Sequence, residues 1–341
     1  MEYEWDLEFA LEPPKTNDFP YYPNEEILKI TNIRNSEIEK YNSMQNNLFL
    51  EERSWLGKNF GRKIQNMKLD TFFRRKIQNL CSKDEQNISY QKSELNCLWL
   101  HHNDPYLKLG PFKFEVQHKE PEIAIIHEFA SFKETKSIQD HARGQTKPTP
   151  YGDSNFSKHR TSKVMYMNEN LEPAALTLSK KIELATHFRL YKEMYASENY
   201  QIMNYGIGGK ITQHTDSPEI IFKNEYKEED YTKNGVSRAL LLEHGGPRLM
   251  TFMIYLSDVE AGGHTVFSQP NISVKPQRGT ALYWFNMGAN NNYDSRVRHC
   301  GCPVLYGNKW IANKWVKWLA NFKNYPCLIH RKHYSIYQNN T

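Results

Sequence analysis

From about residue 200 onward the chain contains a series of short segments rich in aromatic and β-branched residues, and this series constrains the fold most strongly. Each segment has the length of a strand, and turns that contain glycine, at 206–209, 261–263 and 276–279, separate several of them. The segments are Tyr200–Tyr205, Arg248–Leu256, Thr265–Phe267, Ile272–Val274, Thr280–Phe285 and Trp310–Val316. Evenly spaced short strands with such turns are typical of a β-sandwich or jelly roll.

The residues before this series have a different pattern, so the 341 residues divide into regions. Residues 1–23 hold four prolines among acidic and aromatic residues and predict an extended arm. Residues 24–83 carry apolar residues at helical spacing and predict two or three helices. The main domain is predicted at 84–335, with its core at 197–318 and a helical pattern across Leu171–Ala196. The predicted fold class is α+β: a jelly roll with supporting helices and a short helical N-terminal extension.

Composition and charge exclude several classes of protein. Hydrophobic residues make up 39% and aromatic residues 13%, which supplies enough apolar surface for a core and excludes a wholly disordered chain. No uncharged apolar run reaches the roughly 18 residues of a membrane span, so we expect none. The net charge of +5 is small, and the densest basic stretch, Arg62–Lys83, is interpreted as the solvated face of a helix rather than a nucleic-acid site. The acidic start, Met1–Asp6, lacks the apolar run of a signal peptide.

The pair His214 and Asp216 is the first candidate for a metal site. Residues at i and i+2 of a strand project from the same face, so both side chains can reach one ion. A third imidazole would complete a set of two histidines and one carboxylate, which binds one face of Fe(II) and leaves three positions open. The pair alone could arise by chance among 13 histidines. On composition, His299, His244 and His264 all compete for the third position.

The segment after His299 favours that histidine. Lys309 follows it ten positions later, in the next strand of a hairpin-like unit, and a jelly roll would place both inside the mouth of the barrel. A lysine buried beside a metal is costly unless an anion neutralises it. A dicarboxylate that chelates iron through one end would present its other carboxylate to this ammonium group. The alternative interpretation of Lys309 is an exposed lysine on a strand.

Three blocks of sequence resemble the catalytic domain of the collagen prolyl 4-hydroxylase alpha subunit, in the same order, between about Leu80 and Pro326. The blocks are Asn204–Asp216, Arg248–Phe267 and His299–Trp315. The resemblance implies a double-stranded β-helix that uses Fe(II), 2-oxoglutarate, O2 and ascorbate. It implies a procollagen-proline 4-dioxygenase of the endoplasmic reticulum lumen, which hydroxylates proline in collagen-like Xaa-Pro-Gly segments. It leaves open protein disulfide isomerase as a beta subunit.

The resemblance also implies roles for individual residues. The implied iron ligands are His214, Asp216 and His299. Lys309 would pair with the distal carboxylate of 2-oxoglutarate, and Tyr205 and Thr251 occupy positions that supply further polar contacts to this cosubstrate. Arg160 matches an arginine on the substrate side of the family's site.

The cysteines acquire a pairing only through the resemblance. Positions matching the family's pairs imply two disulfides, Cys81–Cys97 and Cys302–Cys327, and they leave Cys300 free. Disulfides of this kind fit residence in an oxidising compartment.

Two departures from the family pattern motivate alternative functions. Ile211 stands where the family has a tyrosine near the substrate pocket, and Cys300 replaces a small residue beside a ligand. The Ile211 departure motivates a 2-oxoglutarate dioxygenase that acts on a non-collagen secreted protein. A second alternative is a non-catalytic collagen-binding subunit on the same fold. Residues of the site and not the fold decide function, so the signature of such a subunit would be a lost ligand or a lost Lys309. Neither is lost.

Overall fold

The computed structural model describes residues 74–82, 97–148, 160–190, 195–216, 245–288, 293–325 and 335–337. The chain divides into two units, Met1–Gln78 and Asn79–Thr341. The predicted arm at 1–23 and most of the predicted helical segment at 24–83 lie outside the described residues. Within that segment, the described residues 74–82 form a helix. None of the described helices is long and apolar enough to cross a membrane.

Short strands account for most of the regular structure in the described part of the chain. In chain order they are β1 (Cys97–Leu100), β2 (Phe112–Lys119), β3 (Glu122–His127), β4 (Lys147–Pro148), β5 (Lys163–Met167), β6 (Tyr200–Tyr205), β7 (Ile211–His214), β8 (Arg248–Tyr255), β9 (Ala261–Gly262), β10 (Thr265–Phe267), β11 (Ile272–Val274), β12 (Ala281–Phe285), β13 (His299–Gly301), β14 (Val304–Tyr306) and β15 (Lys309–Lys317). The helices are α1 (74–82), α2 (Pro105–Leu109), α3 (Phe132–Ala142) and α4 (Pro173–Thr186), with 3-10 turns at Glu169–Leu171 and Ser295–Val297.

These strands pair in antiparallel fashion into three sheets. The large sheet has nine strands in the order β1-β2-β3-β12-β8-β15-β6-β5-β4, the small sheet has four in the order β11-β10-β13-β7, and β14 pairs with β9. A large and a small antiparallel sheet built by such crossovers form a jelly roll, so the predicted double-stranded β-helix is confirmed.

The large sheet is covered on both faces because its side chains alternate between two apolar clusters. On β8, Phe252 belongs to a cluster that includes Leu178 of α4 and Ile138 of α3. The next residue, Met253, belongs to a second cluster that includes Phe267 of the small sheet. This period of two is the strand geometry, and it places helices on one face of the large sheet and the small sheet on the other.

Helix α4 confirms the helical pattern predicted at Leu171–Ala196, but it is shorter than that range. Pro173 begins it, and the Glu172 side chain accepts a hydrogen bond from the backbone amide of Ala174. The helix ends where His187 adopts a left-handed conformation with φ of 59°. Beyond this residue the chain bonds to another segment, since the amide of Arg189 donates to Asn321 Oδ1 at 2.7 Å. Tertiary contacts therefore override the helical pattern after residue 187.

The disulfide of the described residues joins Cys81 of α1 to Cys302, with 5.6 Å between the Cα atoms. The predicted pairs Cys81–Cys97 and Cys302–Cys327 are therefore wrong. Cys97 is free and exposed on β1, at the edge of the large sheet. Cys327 lies outside the described residues. Cys300 is free and buried, as the resemblance implied.

The contact of Leu80, near the end of α1, with the small sheet explains this pairing. The Ser273 hydroxyl of β11 donates to the carbonyl of Leu80 at 3.0 Å, and the amide of Cys302 donates to the carbonyl of His264 at 2.8 Å. Both contacts bring the end of α1 and the residue after β13 to the same sheet. Disulfide pairing depends on which Cα atoms lie close together, and the order of motifs along a chain does not contain that information.

We expect Cys81→Ser to lower the free energy of unfolding by about 2–4 kcal/mol, because the bond closes a very long loop in the unfolded chain. The sequence separation of the two cysteines is 221 residues. Urea denaturation measures the effect, and wild type under reducing conditions should unfold at the same urea concentration as Cys81→Ser. Cys97→Ser is the matched control and should unfold like oxidised wild type, because Cys97 is free and exposed. Equal destabilisation by Cys97→Ser would contradict the pairing.

Candidate active site

Neighbouring strands of the small sheet bring three potential metal ligands together. The register of β7 and β13 places His214 opposite His299, and their ring centroids lie 4.3 Å apart. Asp216 follows β7, with Oδ1 3.6 Å from His214 Nε2 and Oδ2 3.8 Å from His299 Nε2. One potential ligand atom from each residue lies within 4.8 Å of the others. This is the one such cluster of potential metal ligands among the described residues, and His264 is outside it.

The backbone fixes which nitrogen of each imidazole faces this cluster. His214 Nδ1 lies 2.9 Å from the carbonyl of Thr212, and His299 Nδ1 lies 3.1 Å from the carbonyl of Val297. A carbonyl can only accept, so Nδ1 carries the proton in both rings and the Nε2 lone pairs are left for a metal. Burial, followed by the charge of His214, lowers the pKa of His299 to about 4, which keeps this ring neutral at pH 7.

The Asp216 carboxylate is buried and held through a single oxygen. Its Oδ2 accepts hydrogen bonds from the Thr251 hydroxyl at 2.7 Å and from Trp315 Nε1 at 3.1 Å. Burial alone would raise the pKa of Asp216, but His299, His214 and Arg248 together hold it below its usual range. Both donors use Oδ2, so Oδ1 is the oxygen that remains for a metal.

This donor set fits Fe(II). Two imidazole nitrogens and one carboxylate oxygen, on adjacent strand ends, form the facial triad of non-haem iron sites. The ligand atoms are close enough to share one ion. The lowered pKa values of His299 and Asp216 favour the neutral imidazole and the ionised carboxylate that metal ligation requires.

A buried lysine lies in the same barrel. Lys309, at the start of β15, is only 3% exposed, and its Nζ donates to Thr265 Oγ1 at 3.2 Å. The Nζ atom lies 5.8 Å from the ring centroid of Tyr205 and 5.7 Å from that of Tyr255. Burial lowers the pKa of Lys309 to about 7, and Cys300 acts in the opposite direction. Within the described ranges no carboxylate forms an ion pair with Lys309.

Two other residues that the sequence placed at the site also lie near it. Tyr205 is buried, its hydroxyl donates to Met203 Sδ at 3.4 Å, and burial raises its pKa, while the charge of Arg160 acts in the opposite direction. Arg160 forms a β-bridge with Ile211 at the start of β7, the strand that ends at His214.

Thr251 lies beside the Asp216 carboxylate, and its implied contact with the cosubstrate stays a prediction. Its hydroxyl proton points to Asp216 Oδ2, and its oxygen accepts from Asn286 Nδ2 at 2.9 Å. The hydroxyl beside the Lys309 ammonium belongs to Thr265. The sequence gives no signal that separates these two threonines, since both lie in predicted strands.

Sequence reasoning also missed Trp315 and Arg248. Arg248 stacks on the Trp315 ring, with Cζ 3.5 Å from its centroid, and donates to the Asp216 carbonyl at 3.1 Å. Glu198 holds the Arg248 guanidinium through two hydrogen bonds of 2.7 Å each. Trp315 could have been found, because it lies an even number of positions after Lys309 on one strand and therefore shares its face.

A jelly roll that carries two histidines and one carboxylate at a shared point defines the class of mononuclear non-haem iron oxygenases. Residues 200–317 match the model of the 2OG-Fe(II) oxygenase superfamily. The chain therefore contains a domain of this superfamily, whose name gives Fe(II) and 2-oxoglutarate as the metal and the cosubstrate.

The resemblance to collagen prolyl 4-hydroxylases is confirmed over most of the chain. The chain is 36% identical over 245 residues to prolyl 4-hydroxylase subunit alpha-3 from Homo sapiens, and the match covers 71% of this chain and 42% of that protein. It is 31% identical over 231 residues to subunit alpha-1 from Homo sapiens, covering 66% of this chain and 40% of that protein. The chain thus spans about two fifths of the length of these relatives. It is also similar to the solved viral collagen prolyl hydroxylase of Paramecium Bursaria Chlorella virus-1, with 22% identity, a TM-score of 0.41, and coverage of 57% of this chain and 95% of that one.

Proposed function

We propose that this chain is a procollagen-proline 4-dioxygenase that uses Fe(II), 2-oxoglutarate and O2 to hydroxylate proline in collagen-like Xaa-Pro-Gly segments. One observation carries the proposal: a buried ammonium without a carboxylate partner among the described residues lies in the same barrel as a facial triad. A dicarboxylate cosubstrate supplies the missing anion. The catalytic domain is assigned to 84–335, with its core at 197–318.

In this proposal each residue of the site has one task. The proposed iron ligands are His214, Asp216 and His299. The Lys309 ammonium binds the distal carboxylate of 2-oxoglutarate, with the Thr265 hydroxyl beside it and the Tyr205 ring as a wall. Burial of Lys309 excludes water, which strengthens this charge-assisted hydrogen bond. Arg160 lies on the substrate side. Bound iron supplies oxidative chemistry, in which O2 is reduced as 2-oxoglutarate is decarboxylated, and ascorbate keeps the metal in the ferrous state.

The proposal includes the setting of the reaction. The disulfide Cys81–Cys302 supports an oxidising compartment, and we assign the protein to the lumen of the endoplasmic reticulum. The named relatives are alpha subunits, which supports a beta subunit as a partner, and we propose protein disulfide isomerase for that role.

The experiment that tests the function is consumption of 2-oxoglutarate by the purified protein with and without a (Pro-Pro-Gly)n peptide. We expect the peptide to stimulate turnover and to gain hydroxyl groups at the prolines that precede glycine. A peptide with alanine at those prolines is the control and should not stimulate. If the (Pro-Pro-Gly)n peptide neither stimulates turnover nor gains hydroxyl groups beyond the control peptide, prolyl 4-hydroxylation of collagen-like segments is contradicted.

A second candidate keeps the cosubstrate chemistry and changes the substrate to a non-collagen secreted protein. The observation in its favour is Ile211, an aliphatic residue whose backbone bridges to Arg160 on the proposed substrate side. Uncoupled decarboxylation of 2-oxoglutarate that the (Pro-Pro-Gly)n peptide does not stimulate would favour this candidate.

The affinity for 2-oxoglutarate should depend on pH through Lys309. Its pKa is lowered by burial to about 7, and only the ammonium form pairs with a carboxylate. The apparent dissociation constant should therefore be constant below pH 7 and rise about tenfold per pH unit above it. Tyr205, Tyr255 and Cys300, which lie near this ammonium, do not titrate in that range, because burial raises their pKa values, that of Cys300 to about 12.

Isothermal titration of the protein with 2-oxoglutarate from pH 6 to pH 9 measures this dependence. Lys309→Arg is the matched control, because a guanidinium stays charged over the whole range and should give a flat profile. A flat profile in wild type would contradict the assignment of Lys309.

A further inference from the structure

A chain of three hydrogen bonds leads from the core of the barrel to the Asp216 carboxylate. Trp284 Nε1 donates to Asn286 Oδ1 at 3.0 Å. Asn286 Nδ2 donates to Thr251 Oγ1 at 2.9 Å. The Thr251 hydroxyl donates to Asp216 Oδ2 at 2.7 Å. All four side chains are buried, so water does not compete for these bonds.

Each link of this chain determines the orientation of the next. An indole N–H can only donate, so it selects the oxygen of the Asn286 amide and turns the amide nitrogen toward Thr251. The Thr251 oxygen then accepts from that nitrogen, which directs its own proton to Asp216. Because a hydroxyl rotates freely when nothing holds it, the asparagine is what makes Thr251 a donor to the carboxylate rather than an acceptor elsewhere.

The strands put these residues in one place. Trp284 and Asn286 are two positions apart at the end of β12, and the register of β12 with β8 places Trp284 opposite Thr251. The Trp284 ring also packs on the His299 ring, with centroids 4.5 Å apart and an interplanar angle of 61°. Trp284 therefore contacts one proposed ligand directly and reaches a second ligand through Asn286 and Thr251.

We propose that Trp284, Asn286 and Thr251 act as a positioning relay that sets the rotation of the Asp216 carboxylate before a metal binds. This inference rests on the proposed function. The Thr251 proton and the Trp315 indole N–H together occupy Oδ2, which leaves Oδ1 as the single oxygen directed to the ion. The relay thus favours one-oxygen ligation by Asp216 and keeps positions open for the cosubstrate and O2.

Metal affinity, measured without turnover, tests the relay. Fe(II) alone is titrated into each variant by anaerobic equilibrium dialysis. Thr251→Val keeps the shape of the side chain and removes the hydroxyl, and we expect it to bind Fe(II) about tenfold more weakly, since loss of an outer hydrogen-bond partner costs about 10- to 100-fold and Trp315 still holds Oδ2. Thr251→Ser restores the hydroxyl and should bind close to wild type.

A double-mutant cycle separates a relay from independent packing effects. Trp284→Phe removes the indole N–H and keeps an aromatic ring against His299. We expect Trp284→Phe alone to weaken Fe(II) binding. Added to Thr251→Val, it should have no further effect, because the tryptophan acts through Thr251. The same cycle between Trp284→Phe and Asn286→Ala answers the question if Thr251→Val does not fold.

Three outcomes would overturn the relay. Fe(II) affinity could be unchanged in Thr251→Val, the effects of the two substitutions could multiply independently, or Thr251→Ser could fail to restore binding. Each of these results, with Fe(II) bound by wild type, leaves the proposed function intact. Wild type that binds no Fe(II) would overturn the relay and the proposed function together.

Discussion

Replacement of His299 by alanine is expected to abolish 2-oxoglutarate turnover at every cosubstrate concentration. His299 is 6% exposed, and its Nε2 is one of three atoms that converge on the proposed ion. Without it, one imidazole and one carboxylate remain, which is too few to hold a ferrous ion in an open site. Loss of a hydrogen-bond partner behind a metal ligand lowers metal affinity by up to about 100-fold. Loss of the ligand itself should lower Fe(II) affinity by more than that.

Two measurements check this expectation, turnover of 2-oxoglutarate and anaerobic dialysis against Fe(II). His264→Ala is the matched control, because it removes another histidine of the same region that lies outside the ligand cluster. It should bind Fe(II) like wild type. Loss of Fe(II) binding in His264→Ala with retention in His299→Ala would reverse the assignment of the third ligand.

Replacement of Lys309 by alanine should have a different signature, with weaker cosubstrate binding and nearly unchanged iron affinity. The substitution leaves the distal carboxylate of 2-oxoglutarate buried without a partner, which costs on the order of 2–5 kcal/mol. That corresponds to a factor of about 30 to several thousand in binding. The effect should appear as a higher KM for 2-oxoglutarate, because the Lys309 ammonium is 3% exposed and no ion pair with it occurs among the described residues.

Steady-state kinetics over a wide range of 2-oxoglutarate concentrations measure the change in KM, and dialysis against Fe(II) measures the metal affinity. Lys323→Ala is the control, since it removes an exposed lysine that lies beyond β15. An unaltered 2-oxoglutarate dependence in Lys309→Ala would refute the assignment. If wild type also failed to turn over, a non-catalytic collagen-binding subunit would become the better interpretation.

The positions of the site residues could be predicted from the sequence where strand periodicity determines them. His214 and Asp216 share a face because they are two positions apart, and the structure places both beside His299. The same rule applied to β15 would have identified Trp315 on the face of Lys309. Six predicted strands appear within one residue of their predicted bounds for the same reason, since short apolar segments between glycine turns have few other structures available.

Features that depend on contacts between distant segments could not be predicted in this way. Thr251 and Thr265 lie on neighbouring regions of the sequence, and only their partners distinguish them, Asp216 for one and Lys309 for the other. The disulfide belongs to the same category, because its pairing follows from the contact of Leu80 with the small sheet. The end of α4 at His187 likewise depends on a segment far along the chain.

The bond between Cys81 and Cys302 has a consequence for the order of events during synthesis. The ribosome releases Cys81 long before Cys302, since 221 residues separate them, and Cys97 is the first other thiol to emerge. A nascent chain oxidised early can therefore join Cys81 to Cys97, and the native bond must then form by exchange of partners after β13 has been made. The yield of correctly paired protein is expected to depend on a catalyst of thiol–disulfide exchange and not on the supply of oxidant alone.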